Sequence, residues 1–139
     1  MHNLGIPSDK SVVVPDNKNI IDELDKWIEK KINIFDKKNI KKEQLIIDLG
    51  IGFGKTPSQD LQILQNVEYF HKYGFKILIG HSRKSFIKTF SNAVTINRDI
   101  ETLAISMKIA NKVDILRVHT PIEHQQALLA ENHVNGQFV

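Results

Sequence analysis

No cysteine occurs among the 139 residues. That excludes a disulfide scaffold, a Cys-ligated zinc site, an iron–sulfur cluster and a thiolate nucleophile, and it fits a reducing cytoplasm. No apolar run approaches the ~20 residues of a membrane-spanning helix, and the opening MHNLGIPSDK lacks the basic and apolar regions of a secretory signal. Neither sign of charge prevails. Nineteen Lys and Arg against sixteen Asp and Glu, a formal net charge of +3, is too even a balance for a nucleic-acid binder. Residues 1–43 repeat it with nine Lys and eight Asp or Glu, so the chain has neither a basic arm nor an acidic tail. Internal repeats and low-complexity segments are also missing. The length is that of one domain, since domains cluster near ~100–150 residues.

What is present is a clear alternation of periodicities. Ile20, Leu24, Trp27, Ile28, Ile32 and Phe35 recur at steps of three or four, the stripe of an amphipathic helix whose Lys/Glu face is solvated. Three short apolar runs read as strands: Leu45–Ile47, Ile77–Ile79 and Val113–Val118. The first two are apolar throughout, as expected of parallel strands covered on both faces. Helical patterns separate them, one through Leu61, Leu64, Val67 and Phe70 to Tyr73, another through Ile100, Leu103, Ala104, Met107 and Ala110. Thr120-Pro121-Ile122-Glu123 predicts a capping box at the start of a last helix, and Thr56-Pro57-Ser58-Gln59 has the same grammar. The order α-β-α-β-α-β-α, with a strand stub at the front, indicates parallel βαβ units. Such units build either an open doubly wound sheet or part of a (β/α)8 barrel. A whole barrel takes about 250 residues, so this chain supplies about half of one.

Ligands of α/β folds bind where strands end and helices begin, and all three such junctions carry polar residues. The first runs from Asp48 to Thr56 (DLGIGFGKT), the second from Gly80 to Ser85 (GHSRKS), the third from Arg117 to Thr120 (RVHT). Each alone has a plain reading: a loop cap, a tight turn, a solvated basic pair. The first loop is neither a P-loop, whose leading Gly is replaced by Leu49, nor a dinucleotide fingerprint, whose last Gly is replaced by Lys55. Its glycines let the backbone approach a flat ligand, and Asp48 can accept two N–H donors from an amino-heterocycle. Ser82 and Ser85 flank an expected helix start, where free N–H groups favour an anion, with Arg83 and Lys84 adding charge. Arg117 and His119 leave one face of a strand and suit a diphosphate. The alternative for Arg117 is a structural ion pair with Asp99 or Glu101. The remaining histidines, at positions 2, 71, 81, 124 and 133, form no metal-ligand spacing, and no Ser-His-Asp order emerges.

Taken together, DLGIGFGKT, LIGHSRKSF and RVHT, with MHNLGIP at the front, resemble the C-terminal half of the dihydropteroate synthase family of pterin-binding enzymes. The likeness runs from Met1 to about Ala130. It implies the last three to four βα units of a (β/α)8 TIM barrel, with residues 1–131 in the barrel and 132–139 as a tail. The implied activity is a cytoplasmic transferase of folate biosynthesis, the family of sulfonamide targets. It condenses 6-hydroxymethyl-7,8-dihydropterin diphosphate with p-aminobenzoate to 7,8-dihydropteroate and diphosphate, with Mg²⁺. Carried over by motif, Asp48 holds the pterin's amino-pyrimidine edge. Lys84 hydrogen-bonds the pterin, and Phe53, Gly54 and Ser85 belong to the substrate pockets, Ser85 receiving the carboxylate. Arg117 stacks on the pterin and with His119 binds the diphosphate, so Lys84, Arg117 and His119 are the implied catalytic residues. No metal ligand is expected in this half; the Mg²⁺ contacts fall in the family's first four strands, which this sequence does not include. The resemblance therefore implies that an N-terminal half is required as partner, and it is compatible with a homodimer. Two other readings stand beside it: an inactive fragment, and a related pterin-binding methyltransferase barrel, against which the diphosphate-suited Arg117 and His119 argue. Three positions depart from the family: Leu49 for Pro, Glu101 for Gly and Thr120 for Asp.

Overall fold

The computed structural model describes residues 1–9 and 11–136. Helix α1, Ile20–Lys37, begins where the Asn19 side chain accepts the N–H of Ile21, with Asp22 and Glu23 in its first turn; an N-cap acceptor and acidic residues suit the helix's free N–H groups and positive end. Its stripe is realised in packing. Ile20, Leu24 and Ile28 are completely buried, with Trp27 and Ile32 at the margin of the core.

The three strands β1 (Ile46–Asp48), β2 (Lys76–Ile79) and β3 (Ile115–Leu116) form one parallel sheet in the order β1-β2-β3. Between them lie α2 (Pro57–Gln65) and α3 (Asp99–Ile109), and α4 (Pro121–Val134) follows β3. The expected α2 is shorter than its periodicity: the Asn66 side chain donates to the Gln62 carbonyl at 2.8 Å, and the chain tightens into a 3₁₀ helix over Val67–Tyr73 that still buries Val67 and Phe70. Helix α4 runs to Val134, beyond residue 131, where the sequence pattern ends; residues 137–139 of the expected tail lie outside the described residues.

Register explains the two faces of the sheet. Ile46 pairs with Lys76, Asp48 with Leu78, and Leu78 in turn with Ile115, so Asp48, Leu78 and Ile115 lie in one row on one face. The alternate residues Ile47, Ile77 and Ile79 turn to the helices and are at most 4% exposed. Their neighbour Ile46, on the other face, is 49% exposed. Cover on both faces is thus not what the structure has: the helices take one side and leave the other open. One-sided cover with strands in sequential order is the pattern of a barrel segment rather than a doubly wound sheet. The open face is what a barrel turns inward.

β3 is shorter than the six-residue run Val113–Val118. The Asp114 carboxylate accepts the Ile77 N–H at 2.8 Å, binding it to the edge of β2, and past Leu116 a single ladder bond, from the Arg117 N–H to the Ile79 carbonyl at 2.9 Å, continues the pairing. No helix among the described residues is long and apolar enough to cross a membrane.

Candidate functional site

All three strand-to-helix junctions open on the same rim. In the first, Leu49 and Ile51 sink into the core and thereby lift the intervening backbone into a turn. Gly50 has φ +71°, and a Cβ there would stand 2.1 Å from the carbonyl oxygen of His2; both the left-handed conformation and the close approach of residue 2 require glycine. Asp48 Oδ1 accepts the Gly50 N–H at 2.8 Å, which leaves Oδ2 directed at the Arg117 guanidinium, 3.9 Å away.

Beneath this turn lies a buried polar network that the motifs did not announce. Lys55 Nζ donates to the carbonyls of Gly50 (2.8 Å) and Phe53 (2.9 Å) and to His2 Nδ1 (2.9 Å). Burial lowers Lys55 to about 8 against the opposing pull of Asp60 and Asp48. Burial, then the Lys55 charge, pushes His2 down to about 3. Asp60, which accepts the Gly52 N–H at 2.8 Å, is raised by burial to about 6, although that hydrogen bond and Lys55 both favour its charged form. Gln59 adds a bond from its side-chain amide to the Val14 carbonyl at 3.0 Å. Together these groups fasten the chain's first residues onto the first junction. Gly54 belongs to this packing: its carbonyl accepts the Val14 N–H at 3.0 Å and a Cβ would meet Leu4 at 2.8 Å. It lines neither of the hollows described next.

At the second junction Arg83 adopts φ +59°, with its N–H donating to Thr102 Oγ1 at 3.1 Å and its guanidinium forking onto Asp99 with two bonds of 2.8 Å. That pair raises Arg83 and lowers Asp99. Asp99 is therefore the partner of Arg83, not of Arg117, and the Glu101 carboxylate accepts the hydroxyl of Ser91. Arg117 pairs instead with Asp48, the carboxylate on its own face of the sheet. A second unforeseen residue is the buried Arg98, which donates to the carbonyls of Ala93 and Arg83 (both 3.1 Å) and holds the loop in place. Lys84 Nζ stands 4.1 Å over the Phe53 ring, a cation–π contact bridging the first and second junctions. Ser85 opens a 3₁₀ helix of five residues, Ser85–Thr89, instead of the expected α-helix, so the aligned dipole behind it is short.

The third junction crosses over the second. Gly80 lies under the Arg117 guanidinium, where a Cβ would stand 2.4 Å from Nη2, and His119 is held through Ser82, whose Oγ is 2.8 Å from His119 Nδ1. The outcome is a hollow of about 570 Å³ lined by Gly80, Ser82, Arg83, Lys84, Arg117 and His119. Beside it is a second hollow of about 330 Å³ whose walls include Phe53, Lys84, Ser85 and Lys88. Lys84 and Arg83 belong to both. Phe53, Lys84, Ser85, Arg117 and His119 line these hollows, Asp48 joins their rim through Arg117, and Gly54 neither lines a hollow nor pairs with a residue that does. Chemically the rim offers the Asp48 carboxylate as an acceptor, an aromatic face and several cationic or N–H donors within reach of each other, a set suited to a flat amino-heterocycle carrying an anionic group. Among the described residues no group of three or more His, Cys, Asp or Glu could hold a metal ion.

Comparison with known proteins agrees with the geometry. Over 110 residues the chain is 38% identical to a folate synthesis bifunctional protein of Chlamydia caviae, covering 78% of this chain and 25% of that protein. It is 35% identical over 112 residues to a dihydropteroate synthase of Clostridium beijerinckii, covering 79% and 42%. The crystal structure of dihydropteroate synthase from Anaplasma phagocytophilum with bound 6-hydroxymethylpterin-monophosphate superimposes with a TM-score of 0.80 at 30% identity, covering 93% of this chain and 53% of that one. The chain spans less than half the length of these two curated relatives and about half of the solved structure, so its fold is part of a (β/α)8 barrel. The family described as "Pterin binding enzyme" matches residues 1–119; with this chain's first two junctions and Arg117 to His119 of its third inside that span, the chain belongs to the pterin-binding enzyme family.

Proposed function

We propose that this chain is the C-terminal half of a dihydropteroate synthase and works when a segment carrying the other barrel strands completes it. The observation that carries the reading is the convergence of Asp48, Lys84, Arg117 and His119 on one rim in a chain matched by the family over residues 1–119. In this reading the pterin's amino-pyrimidine edge donates to Asp48, and Lys84 lies against the ring. Arg117 and His119 receive the diphosphate. The C–O bond of the pterin's methylene breaks, its electron pair leaving with the diphosphate, and the arylamine nitrogen of p-aminobenzoate forms the new C–N bond and loses a proton to water. Stabilising the departing anion with prearranged donors is the main task of the site. The amine, already a nucleophile, needs orientation in the second hollow beside Phe53 and Ser85. A methyl-transfer reading leaves Arg117 and His119 with no anion to receive.

Exposed structure supports the reading that a complementary half is needed. An outer strand edge exposes unpaired backbone groups, and between β3 and α4 a hollow of about 410 Å³, lined in part by Val113, Leu116, Val118 and Leu128, has the apolar character of a strand-and-helix seat. The magnesium requirement belongs with that complementary half, and a cytoplasmic setting suits the thiol-free chain.

The test is reconstitution: co-expression of this chain with the first four strands of a dihydropteroate synthase relative, then assay of dihydropteroate from the pterin diphosphate and p-aminobenzoate. Product is expected from the pair and none from the chain alone. Activity of the purified chain by itself would refute the half-barrel reading. In the pair, Asp48→Ala is expected to weaken pterin binding by about 1.5–3 kcal/mol, measured by calorimetry; an unchanged affinity removes Asp48 from the site.

A further inference from the structure

Ser82 lies beneath the hollow, 5% exposed, and touches His119 twice. Its Oγ is 3.3 Å from the backbone nitrogen of His119 and 2.8 Å from His119 Nδ1. The backbone N–H can only donate, so Oγ accepts there. The hydroxyl keeps one proton to give, and a buried hydroxyl seldom goes without an acceptor. Nδ1 is the acceptor in reach. An Nδ1 that accepts carries no proton, so in the neutral ring the proton sits on Nε2. Nε2 makes no hydrogen bond among the described residues, and the ring lines the hollow shared with Arg117 and Lys84.

We infer that Ser82 is a positioning residue that locks the neutral imidazole of His119 in the Nε2–H tautomer, so that the ring offers the hollow an N–H donor and not a lone pair. The tautomer stands on the Ser82 geometry alone; the nature of what receives the donor, a phosphate or diphosphate group, rests on the functional reading above. A donor at that point adds a directed hydrogen bond to the charge of Arg117. The opposite tautomer would aim a lone pair at an anion and repel it. With Ser82 acting through His119, the second junction sets the chemistry of the third.

Long-range ¹H–¹⁵N spectra of the uniformly ¹⁵N-labelled chain, recorded across the titration of the His119 ring, read the tautomer directly. Wild type is expected to show an unprotonated Nδ1 and a protonated Nε2. Ser82→Ala, which removes both bonds, is expected to give a mixture, and Ser82→Thr, which keeps the hydroxyl, to restore the wild-type pattern. With inorganic pyrophosphate as probe, Ser82→Ala is expected to bind roughly two- to tenfold more weakly than wild type, the range of one lost hydrogen bond, with Ser82→Thr recovering most of it. A protonated Nδ1 in wild type overturns the inference, and so does a Ser82→Ala spectrum that matches wild type. Should Ser82→Ala not fold, the wild-type and Ser82→Thr spectra decide alone. Failure of pyrophosphate to bind the reconstituted pair, when the chain shows the Nε2–H tautomer, counts against the functional reading and leaves the tautomer assignment supported.

Discussion

At the β1 end of the sheet, the His2 N–H donates to the Asp48 carbonyl at 2.8 Å, Lys55 ties three groups together under the turn, and α2 buries Gln59, Asp60, Ile63 and Leu64. At the other end β3 is two residues long, α4 buries only His124, and an apolar hollow separates them. Both ends come from the same βα grammar. The difference shows which side is packed by this chain's own residues: the first residues close the β1 end, whereas the β3 end leaves an apolar hollow open. It also separates stability from chemistry, because the well-packed end positions Asp48 and the loose end carries Arg117 and His119.

The largest expected effect tests that separation in the core. Ile77 is 1% exposed, and Ile77→Ala should cost about 2–5 kcal/mol by transfer and cavity together. Leu116 is only partly buried at the margin of the core, and Leu116→Ala should cost about 1 kcal/mol in the chain alone. Urea midpoints decide it. Equal losses would break the comparison, and a Leu116→Ala loss that grows when the complementary half is present would sharpen it.

Glycine substitutions beneath the Asp48 turn and beneath Arg117 should fail in different ways. Gly50→Ala puts a Cβ against backbone, the carbonyl of His2, at positive φ, so it should destabilise by at least the roughly 1–2 kcal/mol of the left-handed conformation. For Gly80→Ala the nearest atoms are those of the Arg117 guanidinium, the end of a side chain that is 57% exposed and can swing aside. Stability should change little and pyrophosphate binding should fall by about tenfold, as expected for loss of a charge-assisted bond. Thermal unfolding and calorimetry distinguish the two, and a Gly80→Ala chain as unstable as Gly50→Ala would contradict the assignment.

Much of this was legible in the sequence, and what was not has physical causes. The stripe of α1 and the apolar cores of β1 and β2 are local patterns, and local patterns survive folding when tertiary packing agrees with them. Asp48, Lys84, Arg117 and His119 stand out as candidates because they lie in the strand-to-helix junctions. Lys55 was not. A lysine reads as solvated, and its burial depends on His2, fifty-three positions away. Pairing of charges was equally hidden: Asp99 faces Arg83 because that residue takes a left-handed conformation, which no spacing rule foretells for an arginine. The length of β3 was overread because an edge strand forms only as far as its one neighbour pairs with it.

The buried groups at the β1 end predict a pH signature of smaller size. His2, lowered from 6.5 to about 3, binds fewer protons folded than unfolded, so its contribution to stability rises with pH between those values. Asp60, raised from 3.8 to about 6, holds its proton longer when folded, so its contribution falls as pH rises from about 4 to 6. The two oppose each other in that window. His2→Gln should leave Asp60 alone, and stability should then decline by roughly 1–2 kcal/mol from pH 4 to 6 relative to wild type. Asp60→Asn should give a rise of similar size. Denaturation at pH 4, 5 and 6 measures both, and parallel profiles for the three proteins would mean that this end is more solvated than its packing indicates.

The smallest effect compares two threonines with the same sequence grammar. Thr56 makes the full capping box: its hydroxyl accepts the Gln59 N–H at 3.4 Å, and the Gln59 side chain accepts the Thr56 N–H at 3.0 Å. Thr120, also followed by Pro and two residues later by Glu, makes no side-chain cap. Its carbonyl and hydroxyl lie 2.8 and 3.3 Å from His124 Nδ1, so the ring has taken the place of the capping bond. Thr56→Ala should therefore cost about 1 kcal/mol, the usual worth of an N-cap, with Thr120→Ala costing a few tenths by the same scale. His124→Ala, by freeing the Thr120 hydroxyl, should bring the cost of Thr120→Ala in that background up toward that of Thr56→Ala. If the double-mutant comparison leaves the Thr120 cost unchanged, the missing cap reflects the backbone set by the loose β3 end and not competition from the imidazole.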